Sequence, residues 1–350
     1  MTAGILGFIL IAGSYGAECD TTIRTFSFNP ETGAATEITA QTGFSNPSFL
    51  ATAADGNILL AANENEGPAA GLSVLRRSND GNYVPVDFQP SEGDAPCHVV
   101  LAPNGKYAVT SNYLGGSISI FPFDVHAGHL GKARVVQFHG TGPDSLRQEQ
   151  AHAHFTTFSP DGRLMITDDL GADRLHTFRL DNAGFPIIES MTDVSIAPGA
   201  GPRHLAFAPD GRNAYLINEL DGTVTHLIYD SATATLTPKE SILADYQHGR
   251  GSADIHLSPD GRFLYVSNRL KGDGIAIFAV DEATGTLTPA GFMPTGVHPR
   301  NFTISPDGKW LLVAVRDDNR IEIYSRDEDS GALKRTGEIP ASRPVCLIWQ

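Results

Sequence analysis

Only three cysteines occur in 350 residues, Cys19, Cys97 and Cys346, far apart and never in a C-x-x-C spacing. That excludes a disulfide framework and a cysteine-based zinc site, and it points to a reducing compartment. Positive charge is scarce as well: 25 Lys and Arg face 40 Asp and Glu, a formal net charge of −15. So acidic a chain does not take nucleic acid or an anionic membrane as its main partner. A small anionic ligand stays open, provided that the few arginines are gathered in one place. No apolar run is long enough to span a bilayer. The stretch "ILGFILIAGSYGAECD" near the start has no Lys or Arg before it, the first being Arg24. The charged n-region of a signal peptide is therefore missing, so the stretch reads as a β-strand and the expected location is the cytoplasm. Also missing are G-x-S-x-G, H-E-x-x-H, G-x-x-x-x-G-K-[ST] and a G-x-G-x-x-G after a strand. Without an obvious nucleophile, phosphate loop or dinucleotide site, any hydrolysis would use activated water.

Glycine and proline, by contrast, are plentiful at 36 and 22 residues, and they recur along the whole chain. They punctuate a repeat. "ATAADGNILLAAN", "LAPNGKYAVTSN", "FSPDGRLMITDD", "FAPDGRNAYLIN", "LSPDGRFLYVSN" and "ISPDGKWLLVAV" are one pattern, with turn glycines at Gly56, Gly105, Gly162, Gly211, Gly261 and Gly308. The steps between them are 49, 57, 49, 50 and 47 residues. Each hairpin is followed by a further strand such as "GSISIFPFD" or "DGIAIFAVD", whose period-two alternation excludes helix. Four short antiparallel strands per repeat, arranged radially, make an all-β fold, a β-propeller. The C-terminal "SRPVCLIWQ" reads as the first strand of a seventh repeat, and "GILGFILIAGSY", "TTIRTFSFNPETG" and "AATEITA" read as its other three. The expectation is one domain over residues 1–350, a seven-bladed propeller closed by strands from both ends of the chain. A six-bladed ring with a stray N-terminal hairpin is the alternative.

The turns themselves are structural: Pro-Asp-Gly is turn chemistry, with glycine supplying the positive φ. Chemistry is expected elsewhere, at pairs of residues placed symmetrically about each turn. Arg203 and Glu219 flank Gly211; Asp254 and Arg269 flank Gly261; His154 and Asp169 flank Gly162; His98 and Asn112 flank Gly105; Arg300 and Arg316 flank Gly308; Ser48 and Asn63 flank Gly56. Each lies about eight residues from its turn, which puts all of them at one end of the inner strands, around the mouth of the central channel. His152 and His298 join this polar ring. Arginine's rigid fork of donors suits a carboxylate or phosphate. The "HAH" at 152–154 could hold a metal, but no cysteine or matched carboxylate set accompanies it, so no metal is expected. His204 and His256 read as imidazoles satisfied by their neighbours.

The stretches "PCHVVLAPNGKYAVTSNYLGGSISIFPF", "HAHFTTFSPDGRLMITDDLGADRLHTF", "GPRHLAFAPDGRNAYLINEL" and "ADIHLSPDGRFLYVSNR" resemble the propeller lactonase family, which includes 6-phosphogluconolactonases and fungal carboxy-muconate cyclases. The likeness runs over essentially the whole chain. It implies a catalytic set of His154, Arg203, Glu219 and Arg269, and hydrolysis of 6-phospho-D-glucono-1,5-lactone in the oxidative pentose phosphate pathway. Glu219 or His154 would serve as general base and acid, Arg203 or Arg269 would hold the oxyanion, and Arg300 with Arg316 would clamp the phosphate. His98, Asn112, His152, Asp169, Asp254 and His298 complete the expected substrate-binding ring. The scheme needs no metal or cofactor, and a monomer or weak dimer is the expected assembly. Two other readings stay open at this point: a muconate-type lactonising cyclase, and a propeller that binds other proteins and catalyses nothing.

Overall fold

A computed structural model describes residues 7–350. Its strands form seven sheets arranged as the repeat requires. Blades I to VI occupy residues 47–90, 96–137, 153–195, 202–243, 255–294 and 299–340. Blade VII joins the two ends of the chain: Pro344–Trp349 is its innermost strand and pairs antiparallel with Phe8–Ser14, followed by Ile23–Phe28 and Ala35–Gln41. The expected N-terminal strand thus exists from Phe8 onward, while residues 1–6, with the start of that apolar stretch, lie outside the described residues. The ring turns the short innermost edge of each sheet toward the channel, which is how this architecture protects edges from pairing with other chains.

Within a blade the second strand is the most hydrophobic, because it is covered on both faces. Ile58–Asn63, Tyr107–Asn112, Leu164–Asp169, Asn213–Asn218, Phe263–Asn268 and Trp310–Val315 are buried at every position. The outermost strands, such as Tyr83–Pro90, are mostly exposed. Neighbouring sheets pack face to face. Leu164, Ile166 and Leu175 of blade III meet Leu205, Leu216 and Leu227 of blade IV. Across the closure, Leu10, Phe26 and Phe28 meet Trp310, Leu312 and Ile323. The hairpin turns behave as their sequence predicts. Gly211 sits at φ +69°, where a side chain would be strained, and the Asp210 carboxylate accepts from the amides of Arg212 (2.8 Å) and Asn213 (2.9 Å).

One buried residue breaks the apolar pattern. Asp168 is wholly inaccessible, stands opposite Phe155 and Leu175 in the ladder, and neither carboxyl oxygen has a hydrogen-bond partner among the described residues. Burial pushes its carboxyl well above the usual range, so it is held neutral. The unfolded chain gives up this proton first as pH rises, so stability falls between about pH 3.9 and the folded pKa. Asp168→Asn removes that slope. Urea unfolding should find the variant more stable than the parent at pH 7 by about 1–3 kcal/mol, with the gain vanishing at pH 4 and below.

Candidate active site

The inner strands share a local irregularity that decides which side chains reach the channel. In the pairing of the first two strands, the register slips at one residue in almost every blade: Ser48, Cys97, His154, Arg203 and Arg300, with Val345 in the closing blade. A bulge of this kind carries one residue out of the pleat and re-aims its side chain. All six line a single small cavity, together with Phe49, His204 and Asn301. Counted strictly, the five in the turn-bearing blades stand eight positions before the turn glycine. The hairpin symmetry noted above mixed this position with the next one, which gives a different set. Phe49, His98, Phe155, His204, Asp254 and Asn301 stand seven positions before their glycines and form a second layer. A surface hollow of about 680 Å³ between the turns around Asp55 and Gly105 contains none of these residues. Chemistry, not volume, locates the site.

At the centre of the mouth is Glu219, held by three arginines. Arg203 Nε donates to Oε2 (2.7 Å), Arg269 Nη2 stands 3.2 Å from the same oxygen, and Arg147 Nη2 donates to Oε1 (2.6 Å). Burial alone would raise the Glu219 carboxyl, but Arg269, Arg203 and Arg147 outweigh it and keep it well below the usual carboxylate range. One carboxylate against three guanidinium groups leaves two positive charges in excess. A buried ion pair adds little net stability, and an unbalanced one still less, so the excess is better explained as a site for an anion. Arg269 also donates through Nε to the Gly251 carbonyl (2.6 Å), and its Nη1 faces His298 Nε2 at 3.3 Å. Burial and the nearby Arg269 bring His298 down to about 3, so it stays neutral beside the guanidinium.

His154 is buried, and its Nδ1 has no partner among the described residues. Burial, reinforced by Arg203 and His204, drives its pKa well below the ordinary imidazole value. The neutral imidazole lines the cavity of the bulge ring beside Arg203 and Arg300, while its unpartnered Nδ1 is shielded from solvent. Arg203 is fixed from the other side as well. Its Nη1 donates to the Ala253 carbonyl and lies 3.3 Å from His204 Nε2. His204 Nδ1 meets Asp254 Oδ1 at 2.8 Å; a carboxylate only accepts, so the proton is on Nδ1 and Nε2 is free to accept from Arg203. Asp254 further binds His256 Nε2 (3.0 Å), the Asn301 side chain and the Phe302 amide (3.2 Å). Asp254 therefore positions Arg203 through His204, and its own oxygens are fully engaged.

The remaining residues of the expected ring have other duties. His98 is wedged between Phe49 and Phe155, with ring centroids 4.3 and 4.2 Å away, and its Nδ1 accepts from the Thr156 amide at 3.3 Å. Asn112 is turned into its blade toward Ser117 and Ser119. Asp169 caps the His152, Gly171 and Ala172 amides and contacts His176. His152 stacks on Tyr113 at 4.4 Å and contacts its carbonyl, so it braces the mouth without facing it. Arg300 lies in the bulge ring, over the Tyr15 face and 3.6 Å from Glu64, and Tyr15 Oη donates to Glu64 at 2.7 Å. Arg316 turns aside to fork onto Asp317. Its partnership with Arg300 in a phosphate clamp is not a feature of this geometry.

Four residues of the site escape the symmetry argument: Tyr15, Glu64, Tyr113 and Arg147. The first three directly follow second strands: Glu64 and Tyr113 stand one position beyond the nominated Asn63 and Asn112, and Tyr15 lies in the closing blade, where no pair was named. Arg147 lies on the loop of residues 138–152 between blades II and III, which no hairpin template covers. A signal was present in the uneven spacing, because the 57-residue step from Gly105 to Gly162 is where this loop is inserted.

Comparison with known proteins agrees with the geometry. The family model described as "Lactonase, 7-bladed beta-propeller" matches residues 9–349. A Formosa agariphila protein named 6-phosphogluconolactonase is 36% identical over 331 residues, covering 90% of this chain and 91% of its own. A Bacillus subtilis protein of the same name is 28% identical, with 97% of each chain covered. Among solved structures, one from Bacteroides fragilis is 41% identical with a TM-score of 0.93, over 100% of this chain and 99% of its own. The periplasmic gluconolactonase of Pseudomonas aeruginosa is 29% identical with a TM-score of 0.89, covering 98% of each chain.

Proposed function

The chain belongs to the seven-bladed β-propeller lactonase family, and within it we propose that its substrate is 6-phospho-D-glucono-1,5-lactone, opened to 6-phosphogluconate as in the oxidative pentose phosphate pathway. The observation that carries this reading is the pairing of an ionised Glu219 with an excess of arginine in one channel mouth, beside a neutral His154. Relatives that bear the name 6-phosphogluconolactonase support the choice of substrate.

Lactone hydrolysis needs an attacking water, a place for the oxyanion and a proton for the leaving oxygen. Glu219 is ionised and takes the water's proton as the new carbon–oxygen bond forms at C1. The carbonyl π-electrons move to its oxygen, and the guanidinium groups of Arg203 and Arg269 accept the developing charge. When the C1–ring-oxygen bond breaks, the proton held by Glu219 passes to the departing alkoxide, and the carboxylate is restored. His154 stays neutral, and its imidazole in the cavity lining orients the water or the sugar. Asp254 and His204 keep Arg203 in place throughout.

The direct test is a coupled assay on freshly generated phospholactone, read as 6-phosphogluconate formed above the spontaneous rate. Catalysed opening that is indifferent to chelator is expected. Turnover of carboxy-muconate with none of the phospholactone would replace this reading by the cyclase one.

A further inference from the structure

The cavity inside the bulge ring measures about 10 Å³, room for about one water and far below the several hundred Å³ of an ordinary ligand pocket. Above this cavity, Glu219 is 5% exposed and both of its oxygens are taken by guanidinium groups, so a sugar lactone reaches it only if one of the three arginines moves. Arg203 and Arg269 cannot give way cheaply, because each is buried and also bound to a backbone carbonyl. Arg147 is different. Its side chain is 37% exposed, and it holds no carbonyl; its partners are Glu219 and the Tyr113 hydroxyl (3.2 Å). It also belongs to a loop tied down on both sides of it. Asp144 is paired with Arg250 across the mouth, while the buried Gln148 donates to the Leu170 carbonyl (2.9 Å) and to Asp173 (2.8 Å). The backbone is held and the guanidinium is left to swing.

Building on the proposed function, we infer that Arg147 is the phosphate-recognising residue, and that it exchanges Glu219 for the substrate's phosphate when the lactone binds. The exchange does two things at once. It supplies a guanidinium fork to a phosphate, for which that group is well matched. It also uncovers Glu219 Oε1 and removes one of the three cations that make the carboxylate a weak base, which brings it nearer to the basicity that general-base catalysis needs. Binding energy from the non-reacting end of the substrate is thereby spent on the reacting end. An unphosphorylated lactone, lacking the anion that draws Arg147 away, meets a base still clamped.

The experiment compares 6-phosphogluconolactone with D-glucono-1,5-lactone, the latter with and without added inorganic phosphite as a detached stand-in for the phosphate. In the parent protein phosphite is expected to raise kcat/KM for the unphosphorylated lactone about tenfold. In Arg147→Met that activation disappears, the unphosphorylated lactone reacts severalfold faster than in the parent, and the preference for the phosphorylated substrate drops about 100-fold. Arg147→Lys keeps a charge without the fork, so it should retain activation at higher phosphite concentration. An equal loss on both lactones in Arg147→Met, or an unchanged preference, overturns the exchange and leaves the proposed function standing. If the parent protein opens neither lactone above the spontaneous rate, the proposed function itself fails.

Discussion

Replacing Glu219 by glutamine is expected to lower kcat on the phospholactone by about 10³-fold, the largest effect of any single change in the site. Glutamine keeps the shape but can neither take a proton from water nor return one to the ring oxygen. The same change has a structural cost. Arg147, Arg203 and Arg269 all pair with this carboxylate, and two of them are buried, so neutralising it leaves like charges facing one another without an anion. Breaking a buried pair in this way costs about 3–5 kcal/mol, which thermal unfolding would register as a lower Tm. Added inorganic phosphate should restore part of that Tm, and more in Glu219→Gln than in the parent, because it fills the vacancy with an anion. Near wild-type turnover in the variant would remove Glu219 from the mechanism.

The second large effect is expected at Arg203, where even lysine is a poor substitute. The guanidinium meets Glu219, the Ala253 carbonyl and His204 from three directions at once. An ammonium on a flexible stem cannot reproduce that planar fork. Arg203→Lys should lose about 10²–10³-fold in kcat, the scale of removing one oxyanion donor, with KM changing much less. Asp254→Asn offers the control, since it touches Arg203 only through His204. It should shift the same parameter by a smaller factor. A change confined to KM in Arg203→Lys would mean that this guanidinium binds substrate and transition state equally, and that Arg269 carries the oxyanion.

Much of the molecule could be read from residue order. The propeller, its seven blades and its closure by both chain ends follow from a repeat whose turn chemistry and period-two strands are local properties. Arg203 and Glu219 were also legible as a pair placed symmetrically about a tight turn, and theirs are the side chains of such a pair that meet. The reading faltered where a single residue of register matters. His98 stands one place beyond the bulge of its blade and Asp254 at the equivalent position of its own, and that one place separates the channel mouth from the layer below it. Asn112 and Asp169 share the strand end with the site but turn into their own blades, where hydroxyls and free amides wait for them.

The sequence by itself therefore determined the fold and the end of the propeller at which the polar residues gather, His154, Arg203, Glu219 and Arg269 among them. Which of the other polar residues face the channel was decided only by the tertiary structure, for two physical reasons. A bulge leaves no mark in hydrophobic periodicity, yet it re-aims the side chain that it carries. Arg147 reaches Glu219 from a position 72 residues earlier in the chain, across a gap that only the packing of neighbouring blades brings within hydrogen-bonding distance.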